Sequence, residues 1–463
     1  MSYSPNLTYF LDRLQGFSTN IFRLETNGAD TATANKIIRF SLPSNALLNM
    51  RSFALHFNAT TNDGNGARLP AKIDTLIERV EVTAGGIQLS QGLNMYNVLR
   101  HAKDAIHGSK TNSVCGHPEI VRTKSYVDGF GYVDVATGTQ SVLAGVSGES
   151  YPSTNKQAQF VIDQWEGFIG TCEPKIIDAA ILPDLVISIY LADNNVLSSS
   201  LNSDIDTSFN LAGNGAATYT LNNIHATIES IGLADSVYDN MVSSMIAQKG
   251  YVEVPFKQYF SFNNTHSGST RFSVATQSLD RVWVAFRATT YPDQGAPLKI
   301  AGYRQTATSS GDYLGMLDTD REKYVGKYYN FQEPTSIANG KVTYQLQLNG
   351  AYYPQFAATA EEMYAISKSS LLGSYNAHNM SLQQYKNHYF VMCARLNMPE
   401  SEFSRTFSGL DTRSVSLNGY FNTFNTDGNS NIVIFCECSS SIRIGQGRMI
   451  EVLTWATSSP LSI

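Results

Sequence analysis

Residues 342–373 read VTYQLQLNGAYYPQFAATAEEMYAISKSSLLG, and a strand, a turn and a helix follow one another within them. Val342, Tyr344, Leu346 and Leu348 alternate with Thr343, Gln345 and Gln347, the period of two that a strand with one buried face requires. Asn349-Gly350 supplies the positive φ angles of a tight hairpin turn. Ala351, Tyr352 and Tyr353 are then expected to return as the partner strand, with Pro354 ending it by removing a ladder donor. Thr359 and Glu362 have the spacing of a capping box. Met363, Ile366 and Leu371 fall close to one helical face, and Gly373 can take the left-handed stop.

The same order occurs far upstream, between Arg79 and Gly108. Val80 and Val82 alternate with Arg79, Glu81 and Thr83, Ala84-Gly85-Gly86 makes the turn, and Ile87 and Leu89 begin the return strand. Met95, Val98, Leu99, Ala102 and Ile106 then form the inner stripe of a helix closed by Gly108. Short sequence echoes accompany this repeat: Phe57-Asn58-Ala59-Thr60-Thr61 matches Phe286-Arg287-Ala288-Thr289-Thr290, and Met95-Tyr96 matches Met363-Tyr364. The echoes keep their order, so the chain reads as duplicated, with extra residues inserted in the second copy.

At 463 residues the chain can hold two β cores of ordinary size. Charged residues make up only 16% and aromatics 11%, with 25 Tyr and 23 Phe, which suits a β protein with extensive contacts. A net charge of −6 argues against a general nucleic-acid binder, which would carry a basic face, and no sequence-specific nucleic-acid contact is expected. No apolar run reaches the roughly 18 residues of a membrane-crossing helix, and the start lacks the basic-then-apolar layout of a signal peptide. Five cysteines, an odd number spread over the chain, read as reduced thiols.

Residues 1–16 form a short arm. Ser4-Pro5 is a good helix start, and Leu7, Phe10, Leu11 and Leu14 follow at helical spacing up to Gly16. That stripe could pack on its own domain, or dock on a neighbouring subunit or a membrane face; so short a helix is marginal without a surface to cover it. Residues 17–232 carry strand patterns, clearest at Ile37–Leu42, Ser52–Phe57 and Leu185–Leu191, and residues 110–155 read as long surface loops. Asp235 caps a helix through Val237, Met241 and Met245 to Gly250, so that residues 233–250 separate the first β domain from a second at 251–463. Within the second domain, residues 291–340 are irregular and aromatic and are expected to project outward as an ordered loop. The runs Tyr389–Leu396, Ser414–Thr423, Ile432–Cys438 and Met449–Trp455 complete its strands.

Phe168-Ile169-Gly170-Thr171, then Lys175-Ile176-Ile177-Asp178 and Leu182-Pro183-Asp184-Leu185-Val186-Ile187, are similar to a late first-roll segment of a known family. Ile228-Glu229-Ser230-Ile231 running into the helix after Asp235 resembles that family's passage between rolls, and Ser408-Gly409-Leu410-Asp411-Thr412 resembles a loop of its second roll. The family is that of the double jelly-roll major capsid proteins of eukaryotic DNA viruses, and the chain most resembles those of polinton-like viruses and virophages. The resemblance implies an all-β chain of two consecutive eight-stranded jelly rolls with short helices in loops and between the rolls. It also implies a virion subunit that forms a homotrimer, a pseudo-hexagonal capsomer that tiles an icosahedral shell. Its partners would be its own copies, neighbouring capsomers, penton and minor capsid proteins, and an internal membrane touched by the N-terminal arm. The compact first half and the insertion at residues 291–340 depart from the family pattern. Physics supports the layout independently, because a jelly roll keeps its sheet edges short and covered and can be tiled without uncontrolled edge pairing.

Cys436 and Cys438 share one strand face, and Cys115 and His117 could add ligands, but the spacing matches no zinc template and the pair reads as small buried side chains. The acidic turns at Asp204 and Asp206, at Asp318 and Asp320, and at Asp427-Gly428-Asn429 lack a full calcium-loop pattern. No nucleophile elbow, phosphate loop or metalloprotease helix is present, so no catalytic, cofactor or metal residue is assigned and no enzyme is expected. A carbohydrate-binding or fibre-type β-sandwich attachment protein is the alternative from another class. Duplication favours the capsid subunit, since three duplicated chains present six similar domains.

Overall fold

The computed structural model describes residues 17–44, 46–61, 69–70, 73–89, 94–107, 126–127, 158–179, 181–197, 218–233, 247–248, 250–293, 298–299, 324–370, 382–398, 408–412, 418–445 and 449–453. The first half contributes β1 (Phe17–Glu25), β2 (Ile37–Ser41), β3 (Leu47–Thr61), β4 (Ile77–Ala84), β5 (Ile87–Gln88), β6 (Ala158–Ile162), β7 (Ile176–Asp178), β8 (Leu185–Leu191) and β9 (Tyr219–Leu233). One sheet runs β1-β9-β3, with β6 and β7 on the far side of β3, and the other runs β2-β8-β4-β5. The second half contributes β10 (Tyr251–His266), β11 (Ser269–Phe272), β12 (Leu279–Arg287), β13 (Thr343–Leu348), β14 (Ala351–Thr359), β15 (Val391–Arg395), β16 (Gly419–Phe424), β17 (Ser430–Gly445) and β18 (Ile450–Leu453). Its sheets run β10-β17-β12-β15, with β18 also on β17, and β11-β16-β13-β14.

Both halves therefore repeat one topology. If β6 and β7 count as one position, each half has a sheet ordered first, eighth, third, sixth and another ordered second, seventh, fourth, fifth. That is the strand order of a jelly roll, and the chain contains two in succession. In the first, the sixth position is split because β6 and β7 take opposite ends of the fifteen-residue β3.

In β13, Tyr344, Leu346 and Leu348 are buried, as their alternation requires, and Asn349 (φ 49°) and Gly350 (φ 86°) make the turn. Pro354 does not end the partner strand, which runs on to Thr359. Proline lies in a register break, where Tyr353 pairs with Leu346 but Ala358 pairs with Tyr344. Because β14 is the edge of its sheet, the missing N–H leaves no ladder acceptor without a donor. Thr359 then caps a helix; the α-helices in chain order are α1 (Tyr96–His107), α2 (Phe168–Thr171), α3 (Ala360–Ser369) and α4 (Leu382–His388).

The helix that Thr359 caps is thus α3. Its hydroxyl accepts from the Glu362 N–H and the Glu362 carboxylate accepts from the Thr359 N–H, a complete capping box. Met363 is buried and Ile366 half-buried, whereas Leu371 and Gly373 lie outside the described residues. Thr359→Ala should cost about 1 kcal/mol in urea unfolding, and Thr359→Ser should restore most of it.

The upstream copy has the same construction. Val80, Val82 and Ala84 are buried, Gly85 (φ 56°) and Gly86 (φ 83°) turn the chain, and α1 buries Val98, Leu99, Ala102 and Ala105. Ile87 is exposed while Leu89 is buried, so the return strand stops at Gln88 rather than alternating onward. The echo of Phe57 with Phe286 falls on equivalent strands, β3 and β12, and both rings are buried. The methionine echo does not: Met95 has φ 59° and precedes α1, whereas Met363 lies inside α3.

The arm residues Leu7, Phe10, Leu11 and Leu14, most of residues 110–155, and the helix expected from Asp235 through Met245 lie outside the described residues. Gly250, the residue before β10, has φ 80°, in the left-handed region.

Candidate assembly surfaces

Strand β17 carries the run Ile432-Val433-Ile434-Phe435-Cys436-Glu437-Cys438, in which both alternating faces are buried. Ile432, Ile434, Cys436 and Cys438 point into the second roll. Val433 and Phe435 point the other way, joined by Trp283 and Ala285 of β12, Val391 and Cys393 of β15, and Val254, Phe256 and Tyr259 of β10. This outward face is continuous with the core of the first roll, so the halves share one apolar seam. A sheet covered on both sides is what a near-continuous apolar run specifies.

The first half covers that face with α1, α2 and the turn Ile73–Leu76. Phe168 meets Phe256 edge-on at 5.3 Å, and the Lys257 N–H donates to Thr171 Oγ1 at 2.9 Å. His101 on α1 packs against Tyr329 and Phe331 at 5.2 and 5.3 Å, and the Tyr329 hydroxyl donates to the Thr75 carbonyl at 2.6 Å. These two aromatics belong to residues 291–340, which were expected to project outward. Within that stretch Tyr329 and Phe331 instead enter the seam, where their large rings find apolar cover, while residues 335–339 are exposed. Gly170 is required at the same place: a Cβ on it would lie 1.7 Å from the Trp165 carbonyl oxygen.

Charges are buried along the seam, each with partners. Arg100 pairs with Asp74 at 2.9 Å and with Glu166 at 2.9 Å, and Lys103 reaches Glu166 at 2.7 Å. The Tyr259 hydroxyl, from the second half, donates to Glu166 at 3.0 Å. Glu437 accepts from Arg281 at 2.8 Å and from the Trp283 indole N–H at 3.0 Å. Asp280 accepts from Lys257 at 2.6 Å and from Ser278 at 2.7 Å. Burial pushes the Glu437 pKa up, but Arg281, Lys103, Lys257 and the indole donor outweigh it and hold the carboxyl at about 2. For Glu166, burial likewise opposes ionisation, and Lys103 and Arg100 overcome it to keep the pKa below its usual range. None of these residues stood out in the sequence. The available signal was Glu437, a lone acid inside an apolar run.

Cys436 and Cys438 are fully buried in the second core, and burial raises both thiol pKa values. Cys115, His117, Asp204, Asp206, Asp318 and Asp320 lie outside the described residues. Asp427-Gly428-Asn429 is in the turn between β16 and β17, where the Asp427 N–H donates to the Thr335 carbonyl at 2.8 Å. Among the described residues no three His, Cys, Asp or Glu side chains are grouped so as to hold a metal ion. The other prominent surface is the outer face of the β1-β9-β3-β6 sheet. On it Ile21 is 69% exposed and His56 and His225 stack, ring centroids 4.9 Å apart and planes within 4°.

No family model matches the sequence, and comparison with curated proteins gives no match. Among solved structures, the chain is similar to VP54 of PBCV-1, fitted into a cryo-EM reconstruction of the virophage Sputnik: TM-score 0.58, 14% identity, 96% of this chain and 98% of that one covered. The quasi-atomic PBCV-1 capsid gives a TM-score of 0.53 at 14% identity, covering 96% of this chain and 98% of that one. The Faustovirus major capsid protein gives 0.53 at 10% identity, covering 95% and 94%. Together with the strand order repeated in its two halves, this likeness gives the chain the double jelly-roll fold of those viral capsid proteins.

Proposed function

We propose that the chain is a major capsid protein, a structural subunit that forms homotrimers and tiles an icosahedral shell in the virion. The observation that carries this reading is the repeated roll fixed to its twin along a buried seam. A rigid block of two similar lobes gives three copies a nearly six-fold outline, and a third-turn rotation closes the ring rather than leaving an open fibre. Residues 17–232 and 251–463 would be the two rolls, 233–250 the connecting helix, and part of 291–340 an outer loop. Neighbouring capsomers, penton proteins and minor capsid proteins are the expected partners.

Light scattering of the purified protein should give about three times the 50.8 kDa chain mass, or a far larger assembly, stable to dilution as obligate oligomers are. A chain that stays monomeric at high concentration and binds a glycan array would instead support a carbohydrate-binding attachment protein. For the arm, Leu7, Phe10, Leu11 and Leu14 would contact a neighbour, the shell interior or an internal membrane. Removing residues 1–16 should then leave folded trimers and weaken shell assembly. Loss of the chain's own thermal transition would place the arm in its own core.

A further inference from the structure

Arg287 ends β12 on the same face of the strand as Trp283 and Ala285, and it is 0% exposed. Its Nε donates to Asn431 Oδ1 at 3.1 Å and its Nη1 to the Tyr328 carbonyl at 3.4 Å. The Asn431 amide nitrogen donates to Asn263 Oδ1 at 2.7 Å and to the Asn264 carbonyl at 3.3 Å, which fixes the orientation of that acceptor. The guanidinium carbon lies 3.7 Å from the centre of the Tyr291 ring and 5.0 Å from that of Tyr328, and these two rings meet edge-on at 5.5 Å. Nη2 is buried and has no hydrogen-bond partner. Arg100, Lys103, Lys257 and Arg281 each have a carboxylate beside them. Among the described residues no carboxylate forms an ion pair with Arg287, and Asp293, the acid nearest to it in sequence, faces Lys327 at 3.8 Å.

The repeat shows what is unusual about this rung. Phe57 and Phe286 are equivalents, so Arg287 stands where the first roll has Asn58, and the pair Asn58–Asn222 corresponds to Arg287–Asn431. The neutral pair sits where Asn58 is only half-buried, whereas the charge sits where Tyr291 and Tyr328 exclude water. Burial lowers the Arg287 pKa, and Tyr328 and Tyr291 oppose that only in part. A guanidinium nevertheless stays charged in a protein. The faces of two tyrosines and two neutral acceptors offset only part of what burying a lone charge costs. A water on Nη2 would take its N–H groups and leave the charge unbalanced, whereas an anion does both.

We propose that Nη2 of Arg287 marks a closed anion site, a cage beside Tyr291 and Tyr328 that takes one small monovalent anion such as chloride. Size follows from closure, since Nη2 has no contact with solvent and only a small ion can be admitted by a shift of the half-buried Tyr291 ring. The site lies within one chain, so it does not depend on whether chains trimerise. Its effect would be local fastening. Tyr291 follows β12, and Tyr328 precedes Tyr329, whose hydroxyl bonds the first half at Thr75. An ion that neutralises the charge between these rings therefore ties the end of β12 to the seam.

The test is calorimetry of the full chain at fixed ionic strength, with chloride progressively replacing methanesulfonate, an anion too large for the cage. The wild-type transition should rise by a few degrees and then level off, as saturable binding to the folded state requires. Arg287→Gln, which keeps donors but removes the charge, should unfold at one temperature in both salts. A wild-type transition that is the same in both salts overturns the site, and so does a chloride response that persists in Arg287→Gln. If that variant does not fold, wild-type crystals soaked in bromide decide: an anomalous peak against Nη2 is expected, and a water there overturns the proposal. A bromide peak with no chloride stabilisation would mark an adventitious ion only and overturns it as well.

Discussion

Glu166→Ala should destabilise the chain by about 3–5 kcal/mol, because it strips a buried acceptor from cations that stay buried. Arg100 and Lys103 both end on Glu166, and their side chains are only 7% and 15% exposed. The Tyr259 hydroxyl loses its acceptor at the same time. Glu166→Gln keeps the shape and one acceptor oxygen, so it should recover part of the loss. Chemical denaturation of the three proteins measures it, and a loss under about 1 kcal/mol would mean that water reaches the site and screens the pairs.

The same carboxylates set an acid limit. Glu166 and Glu437 have pKa values below their ordinary range, so each favours the folded state when ionised. Their contribution is complete above the unfolded-state value of about 4.3 and is lost as pH falls through the folded values. For Glu437 that loss extends down to about pH 2. Stability measured between about pH 5 and pH 2 should fall, with a shallower fall in Glu437→Gln.

The second large effect is expected at Trp283. It is fully buried, faces the seam, and its indole N–H donates to Glu437. Trp283→Ala should cost about 3–5 kcal/mol through the cavity it leaves. The orphaned carboxylate oxygen adds to that cost. Trp283→Phe should lose less, since it fills most of the space. A denaturant midpoint for Trp283→Ala equal to that of wild type would show that the seam contributes little to stability.

Local structure was legible because local chemistry governs it. The alternation from Val342 to Leu348, the Asn349-Gly350 turn and the Thr359–Glu362 box all recur in the structure as read. Pro354 was misread because its consequence depends on strand position: only the sheet order shows that β14 is an edge. The echo of Phe57 with Phe286 marked equivalent strands because both rings must fill a core at the same rung. A methionine next to a tyrosine has no such constraint: Met95 precedes its helix, whereas Met363 lies inside its own.

The seam was hidden for a different reason. Asp74, Arg100, Lys103 and Glu166 meet within the first half and Arg281 and Glu437 within the second, from residues distant in sequence, and Tyr259 reaches Glu166 only when the two rolls pack. The run Ile432–Cys438 carried the relevant signal, apolar side chains on both alternating faces, but a strand pattern does not say what covers its second face. Residues 291–340 were read as an outward loop because irregular chain is usually exposed, whereas Tyr329 and Phe331 are buried between the halves.

Electron microscopy of the purified full-length chain tests the capsomer directly. Class averages should show compact three-chain particles with a nearly hexagonal outline, six lobes alternating between first and second rolls. Single two-lobed particles at every concentration, with no closed ring among them, would contradict it.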